Sequence, residues 1–145
     1  MKKPINDFKM NVLSKSVNEG FLRAVTSAFC SLADPTLEEI SDIKTAVSEA
    51  VTNAIVHGYK EKQGRIYIDA ALYPDNIIKI KIRDKGCGIE DVQKAMEPLF
   101  TTAGDDRSGL GFSVMESFTD KLSVRSAPNK GTVVTLTKKI SGKCE

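Results

Sequence analysis

The sequence predicts an α+β two-layer sandwich, a mostly antiparallel sheet covered on one face by helices. Apolar residues recur at helical spacing in two stretches of the N-terminal half. From Arg65 onward the period changes from 3.6 to 2. The strands that follow come in pairs joined by turn-forming residues, and each amphipathic helix must then cover the apolar side of the sheet they make.

In chain order, residues 5–13 alternate loosely, with Phe8, Met10 and Val12 on one side, and predict a first strand. Ser16-Val-Asn-Glu19 has the pattern of a capping box and predicts a helix start. Phe21, Leu22, Val25, Ala28, Phe29 and Leu32 continue it at helical spacing for roughly 13 to 16 residues, to a stop near Asp34-Pro35. Thr36-Leu-Glu-Glu39 is a second capping box and opens a central helix that Gly58 is placed to end. Ile66–Ala70 and Ile78–Ile82 alternate as two strands of a hairpin turning at Pro74-Asp75-Asn76. A short helix is expected over Glu90–Met96. Residues 97–108 have no period, contain Pro98 and Gly104, and read as a mobile loop. A helix from Gly109-Leu-Gly111 through Phe118 and a hairpin of Leu122–Ser126 with Thr132–Leu136, turning at Pro128–Gly131, complete the chain.

Composition narrows the classes. At 145 residues the chain is most simply one domain, residues 1–145, with room for a real core but none for a separate substrate domain. Lys and Arg total 21 against 19 Asp and Glu, too slight a surplus to argue for nucleic acid. Three cysteines without a CxxC and a single histidine supply no usual zinc-ligand set. The N-terminus has no apolar run of signal length, and nowhere do 18 consecutive apolar residues occur. The expectation is a cytoplasmic, reduced protein that needs no membrane.

Chemistry concentrates on the central helix. At about 100° per residue, Ile40, Ile43, Val47, Ala50 and Ala54 form an apolar stripe. Glu49, Asn53 and His57 follow one another at i, i+4 and i+8 along its border, while the opposite face carries Thr45, Ser48 and Thr52. A carboxylate, an amide and an imidazole thus line one edge, although such residues are common at helix boundaries and do not assign chemistry alone. Two glycine turns add to it. Asp84-Lys-Gly86-Cys-Gly88 sits where a strand ends, so glycine permits close backbone approach to a ligand, and Asp84 can accept a hydrogen bond from an exocyclic amine such as that of adenine. Arg107-Ser108-Gly109-Leu110-Gly111 opens a helix, whose free amides suit phosphate, with Arg107 adding a fixed charge. Commoner motifs fail on residue type. Gly104–Gly109 has Walker A spacing but lacks the following Lys-Ser/Thr, neither Gly-x-Gly has the third glycine of a dinucleotide fold, and Gly111-Phe-Ser113-Val-Met115 lacks the closing glycine of a nucleophile elbow.

The ordered set of Glu49-x-x-x-Asn53 on a helix, Asp84-x-Gly86-x-Gly88 after a strand, a loop, Gly109-x-Gly111 opening a helix and Gly131-Thr132 before a last strand resembles the GHKL superfamily of ATPases and kinases. Val47-Ser-Glu-Ala-Val-Thr-Asn-Ala-Ile-Val-His-Gly58 and Pro98-Leu-Phe-Thr-Thr102 are similar to the anti-sigma factor serine kinases within it. The resemblance covers nearly the whole chain and implies the ATP-binding fold of that superfamily. It implies ATP or ADP with Mg²⁺ as cofactors, Asn53 as the magnesium ligand and Glu49 as general base. Asp84 would read adenine, helped by Gly86, Gly88 and Thr132. Residues 97–108 would be the ATP lid, with Thr101 and Thr102 near the nucleotide and Arg107, Ser108, Gly109, Leu110 and Gly111 toward the phosphates. One departure is an acidic lid, Ala103-Gly-Asp-Asp106, with no lysine between Phe100 and Arg107. The implied partners are an RNA-polymerase sigma factor, a small anti-anti-sigma protein phosphorylated on serine, and a second copy of the chain as homodimer. Arg23, in Phe21-Leu-Arg23-Ala-Val, is a candidate partner contact on the first helix.

Two other readings compete. A histidine-kinase catalytic domain requires a phospho-accepting histidine on a separate helix pair, whereas the one histidine here lies in the nucleotide helix. A nucleotide-gated binding module without transfer would need no general base, and the presence of Glu49 speaks for an enzyme.

Overall fold

A computed structural model of the chain describes residues 3–60, 62–89, 91–96 and 111–142. Its elements, in order, are β1 (Asn6–Leu13), α1 (Val17–Cys30), a 3₁₀ turn (Ser31–Ala33), α2 (Leu37–Asn53) and a π-helical turn (Ala54–Gly58). They continue with β2 (Arg65–Leu72), β3 (Ile77–Asp84), α3 (Val92–Ala95), α4 (Gly111–Ser117), β4 (Lys121–Ser126) and β5 (Thr132–Lys139). The expected mobile loop 97–108 lies outside the described residues, as do Gly109 and Leu110.

The strands form one five-stranded sheet in the order β1-β2-β3-β5-β4, antiparallel at every pairing. Strict alternation decides which face is covered. Ile66, Ile68, Ala70 and Leu72 of β2, Ile78, Ile80 and Ile82 of β3, and Val134 and Leu136 of β5 are buried, while Lys79, Lys81 and Arg83 point to water. Helices lie over the apolar face. α2 is the middle helix, bringing Ile43, Ala46, Val47, Ala50 and Val51 into the core against α1 and α4. Phe29 of α1 meets Phe8 of β1 edge to face with centroids 5.0 Å apart, the geometry an aromatic quadrupole favours. This is the α+β sandwich the sequence predicts. Among the described residues no helix is long and apolar enough to cross a membrane.

The two capping boxes fare differently. At Thr36 the box is complete, the hydroxyl accepting from Glu39 N–H at 3.1 Å and the Glu39 carboxylate accepting from Thr36 N–H at 2.9 Å. At Ser16 it does not form. Ser16 is already in a helical conformation, so its hydroxyl makes no cap and Glu19 pairs with Arg23, 3.1 Å away. The α1 segment stops as expected, with Asp34 in the left-handed region at φ 56°. α2 does not end on a left-handed Gly58. It widens after Asn53 into one π turn, with Tyr59 N–H bonded to Ala54 C=O, and the left-handed residue is Lys60.

Glu39 does more than cap. Its carboxylate also accepts from the amides of Ser141 and Gly142, at 2.7 and 3.2 Å, and so ties the C-terminal segment to the start of α2. Partial burial pushes its carboxyl up, but the hydrogen bonds from Thr36, Ser141 and Gly142 outweigh this and hold it below its ordinary value. A depressed folded-state value contributes stability above the unfolded value, lost as pH falls through the folded one. Thr36→Ala should cost about 1 kcal/mol in chemical denaturation. Glu39→Gln should flatten the acid limb of the stability–pH curve relative to the parent; parallel limbs would contradict the assignment.

Candidate functional site

The polar edge of α2 faces the start of α4. Glu49 and Asn53 lie one turn apart, and a Cβ placed on Gly111 would stand 3.5 Å from Glu49 Oε1 and 3.7 Å from Asn53 Oδ1. The first residue of α4 therefore sits directly over both oxygens. α4 keeps this position because Phe112 and Met115 are buried in the core on its other side. Two hard oxygen donors converging beside a helix start fit a divalent cation with its phosphate ligands.

Beyond the C-terminal end of α2, across the π turn, lies the Asp84 turn. Asp84 is the last residue of β3, directly opposite Thr132 of β5, and alternation turns its side chain to the covered face. It is 5% exposed. Burial pushes its carboxyl above the ordinary value, an effect opposed by hydrogen bonds from the amides of Gly86, at 2.9 Å, and Thr132. A carboxylate kept under the helices with only backbone donors has acceptor capacity left for a ligand amine. Thr132 is buried beside it.

The two groups of residues are joined through the π turn. Gly58 packs on the Asp84 side chain, where a Cβ would come within 2.8 Å of the carboxyl carbon, and a Cβ on Gly86 would overlap the Gly58 carbonyl. Both glycines are required by close approach, which is the reason for Gly58 that helix termination did not supply. Gly131, at φ 82°, packs in the same way on the Asp84 backbone. Gly58 C=O accepts from Cys87 N–H at 2.9 Å, and the Cys87 thiol donates to His57 C=O at 3.2 Å. Cys87 and the His57 backbone thus serve the packing of the turn.

Of the residues singled out from sequence, Glu49, Asn53 and Gly111 come together at the C-terminal end of α2. Asp84, Gly86 and Thr132 come together beyond the π turn, while Gly88, at φ 77°, packs on Ala127. Thr101, Thr102, Arg107, Ser108, Gly109 and Leu110 lie outside the described residues. Arg23 is exposed on α1 and paired with Glu19. Two residues were not anticipated. Ser126 donates to Gly131 C=O at 2.7 Å, accepts from Ile89 N–H at 2.8 Å and lies 2.9 Å from the Thr132 hydroxyl, fastening the glycine turn to the last hairpin. Its pairing opposite Thr132 follows from the hairpin register, the one signal that could have found it. The other is Tyr59, whose hydroxyl accepts from Lys85 N–H at 2.8 Å.

The comparisons with known proteins agree with this geometry. Residues 14–138 match the model of the histidine kinase-like ATPase domain. An anti-sigma F factor of Thermoanaerobacter pseudethanolicus is 56% identical over 136 residues, 93% of this chain and 94% of that protein. One from Clostridium acetobutylicum is 50% identical over 137 residues, 94% and 95% of the two chains. Among solved structures, the RsbU and RsbW domains of a Mycobacterium tuberculosis protein share the fold at TM-score 0.70 and 21% identity, covering 98% of this chain and 34% of that one. A histidine kinase domain from Erythrobacter litoralis does so at TM-score 0.57 and 17% identity, covering 85% of this chain and 61% of that one. With a domain model matched over most of its length and relatives at half identity or more over nearly their whole length, the chain belongs to the histidine kinase-like (GHKL) ATPase family, in the branch that contains the anti-sigma F factors.

Proposed function

We propose that the protein is an anti-sigma factor and protein-serine kinase. It binds an RNA-polymerase sigma factor and so blocks transcription, and it uses Mg-ATP to phosphorylate a serine of an anti-anti-sigma partner. That partner, once phosphorylated, can no longer remove the kinase from sigma. The observation that carries this reading is the convergence of Glu49, Asn53 and Gly111 at the C-terminal end of α2, with the buried Asp84 just beyond it against Gly58. The names of the relatives, anti-sigma F factors, support the sigma-binding half. The whole chain acts as one domain, as a homodimer in the cytoplasm, with residues 97–108 as the ATP lid and Arg23 as a partner contact.

Each residue has a role that its surroundings support. Asp84 accepts from the adenine amine, and Gly86, Gly88 and Thr132 shape the wall around the base. Asn53 Oδ1 is the protein ligand for Mg²⁺, which when bound neutralises charge on the phosphates. Glu49, one turn away, is the general base that draws the proton from the attacking serine hydroxyl. The start of α4 with Gly111 faces the phosphates, and Thr101, Thr102, Arg107, Ser108, Gly109 and Leu110, which lie outside the described residues, are assigned to nucleotide binding by the family resemblance alone. Catalysis is then mainly positioning and charge neutralisation.

The test is incubation of the full chain with Mg-ATP and candidate acceptor proteins, followed by phosphoamino-acid analysis. Labelled phosphoserine on a small acceptor is the expected result. Labelling only of a histidine-bearing acceptor would instead make the chain a histidine-kinase catalytic domain, and sigma binding without any transfer would make it a nucleotide-gated binding module. Asn53→Ala should abolish the difference between nucleotide affinity measured with and without magnesium; a difference as large as the parent's would remove Asn53 as the metal ligand.

A further inference from the structure

We propose that Tyr59 is a positioning residue for the nucleotide pocket, holding the base-reading turn in register with the polar edge of α2. The inference rests on the nucleotide site proposed above. Tyr59 directly follows the π turn, and its own N–H closes that turn on Ala54 C=O at 3.0 Å. Its side chain is 9% exposed. The hydroxyl accepts from the amide of Lys85, the residue after Asp84, at 2.8 Å and donates to the carbonyl of Arg65, at the first residue of β2. The ring is seated on Gly64, where any Cβ would overlap it.

One phenol therefore bridges the end of β3, the start of β2 and the end of α2. The Asp84 carboxylate hangs from β3, whereas Glu49 and Asn53 hang from α2, so their separation depends on how these elements are locked together. Gly58 and Gly86, having no side chains, supply close approach and backbone bonds only. The neighbouring bonds, Cys87 N–H to Gly58 C=O and the Cys87 thiol to His57 C=O, secure the outer part of the turn. Only the Tyr59 hydroxyl, among the described side-chain bonds, reaches the amide adjoining Asp84 from the α2 side. A π turn adds backbone where a regular helix would have carried the chain past this point, and such turns recur at functional sites. Here it delivers the ring of Tyr59 beneath the strand ends.

Removing the hydroxyl leaves the Lys85 amide and the Arg65 carbonyl short of a partner in a half-buried place and lets the Asp84 turn drift. Tyr59→Phe in the full chain should weaken ADP and ATP together by roughly tenfold and narrow the preference for adenine over guanine nucleotides. It should leave kcat at saturating ATP within about twofold of the parent, because Glu49 and Asn53 stay on an intact α2. A structural role alone would lower the melting temperature and leave these affinities unchanged. Calorimetry with ADP, ATP and GDP on parent and variant separates the cases. Parent-like ADP affinity and base preference in Tyr59→Phe overturn the proposal while leaving the nucleotide site standing, whereas a parent that binds no adenylate overturns both. Hydrogen exchange of the parent gives an independent reading that no folding defect can obscure. The Lys85 amide should exchange slowly without nucleotide and more slowly with ADP bound, and exchange at the rate of an open amide would overturn the assignment.

Discussion

Glu49→Gln is expected to slow phosphoryl transfer to the acceptor by roughly 10²- to 10⁴-fold, the range that loss of a positioned general base produces. Nucleotide binding should change little. Glutamine keeps the length and an oxygen acceptor at the place where Glu49 Oε1 meets Gly111, so the packing of α4 over α2 is retained. What is lost is the ability to take a proton. In the language of mutant kinetics, the change belongs in kcat with KM for ATP preserved. Rapid-quench measurement of phosphoserine formation, alongside calorimetric ATP affinity, checks it. Equal labelling by parent and variant would remove Glu49 from the role of base.

Asp84→Asn should have effects of opposite sign on binding and on stability. Burial raises the folded-state value of this carboxyl, so the protein's stability is greater below the unfolded value and declines as pH rises through the folded one. At neutral pH the buried charge is a net cost to folding. An isosteric amide removes it, and the variant should melt higher than the parent at pH 7 while the two converge in acid. Binding suffers, because the Asp84 side chain already accepts from the amides of Gly86 and Thr132. A carboxylate can serve these donors and a base amine together. An amide that keeps its oxygen on these donors turns its NH₂ toward the base amine, donor against donor, which should weaken adenine nucleotides by about 10- to 100-fold. A variant that lost affinity and stability together would point to disrupted packing instead.

Much of this fold could be read because its elements obey one clean period each. The alternation of Ile78, Ile80 and Ile82 with Lys79, Lys81 and Arg83 specifies a strand with one wet face, and the stripe of Ile43, Val47, Ala50 and Ala54 specifies a covered helix. Thr36 capped as its spacing predicts because its own backbone is extended, with ψ 165°. Ser16 has the same local pattern and fails because its backbone has already entered the helix and Glu19 finds Arg23 instead. A capping box is a statement about side chains, and it holds only if the backbone stops where they require.

The candidate site was legible as a set of residue types but not as a set of distances. Nothing in the spacing of Glu49, Asn53 and His57 announces that the helix changes pitch after Asn53. The consequence is that His57 contributes its carbonyl to Cys87, and Gly58 is present for the sake of Asp84 rather than to stop the helix. Tyr59 reaches Lys85 across 26 residues of sequence and Ser126 reaches Ile89 across 37, and these two contacts leave no local pattern.

The central claim is that one adenine nucleotide lies along α2, base at Asp84 and phosphates at Asn53 and the start of α4. Isothermal titration of the intact protein with ADP, in magnesium and then in a chelator, tests it most directly. The account predicts a single site per chain whose affinity falls when magnesium is withdrawn. No heat of binding to folded protein, or an affinity indifferent to magnesium, would contradict it.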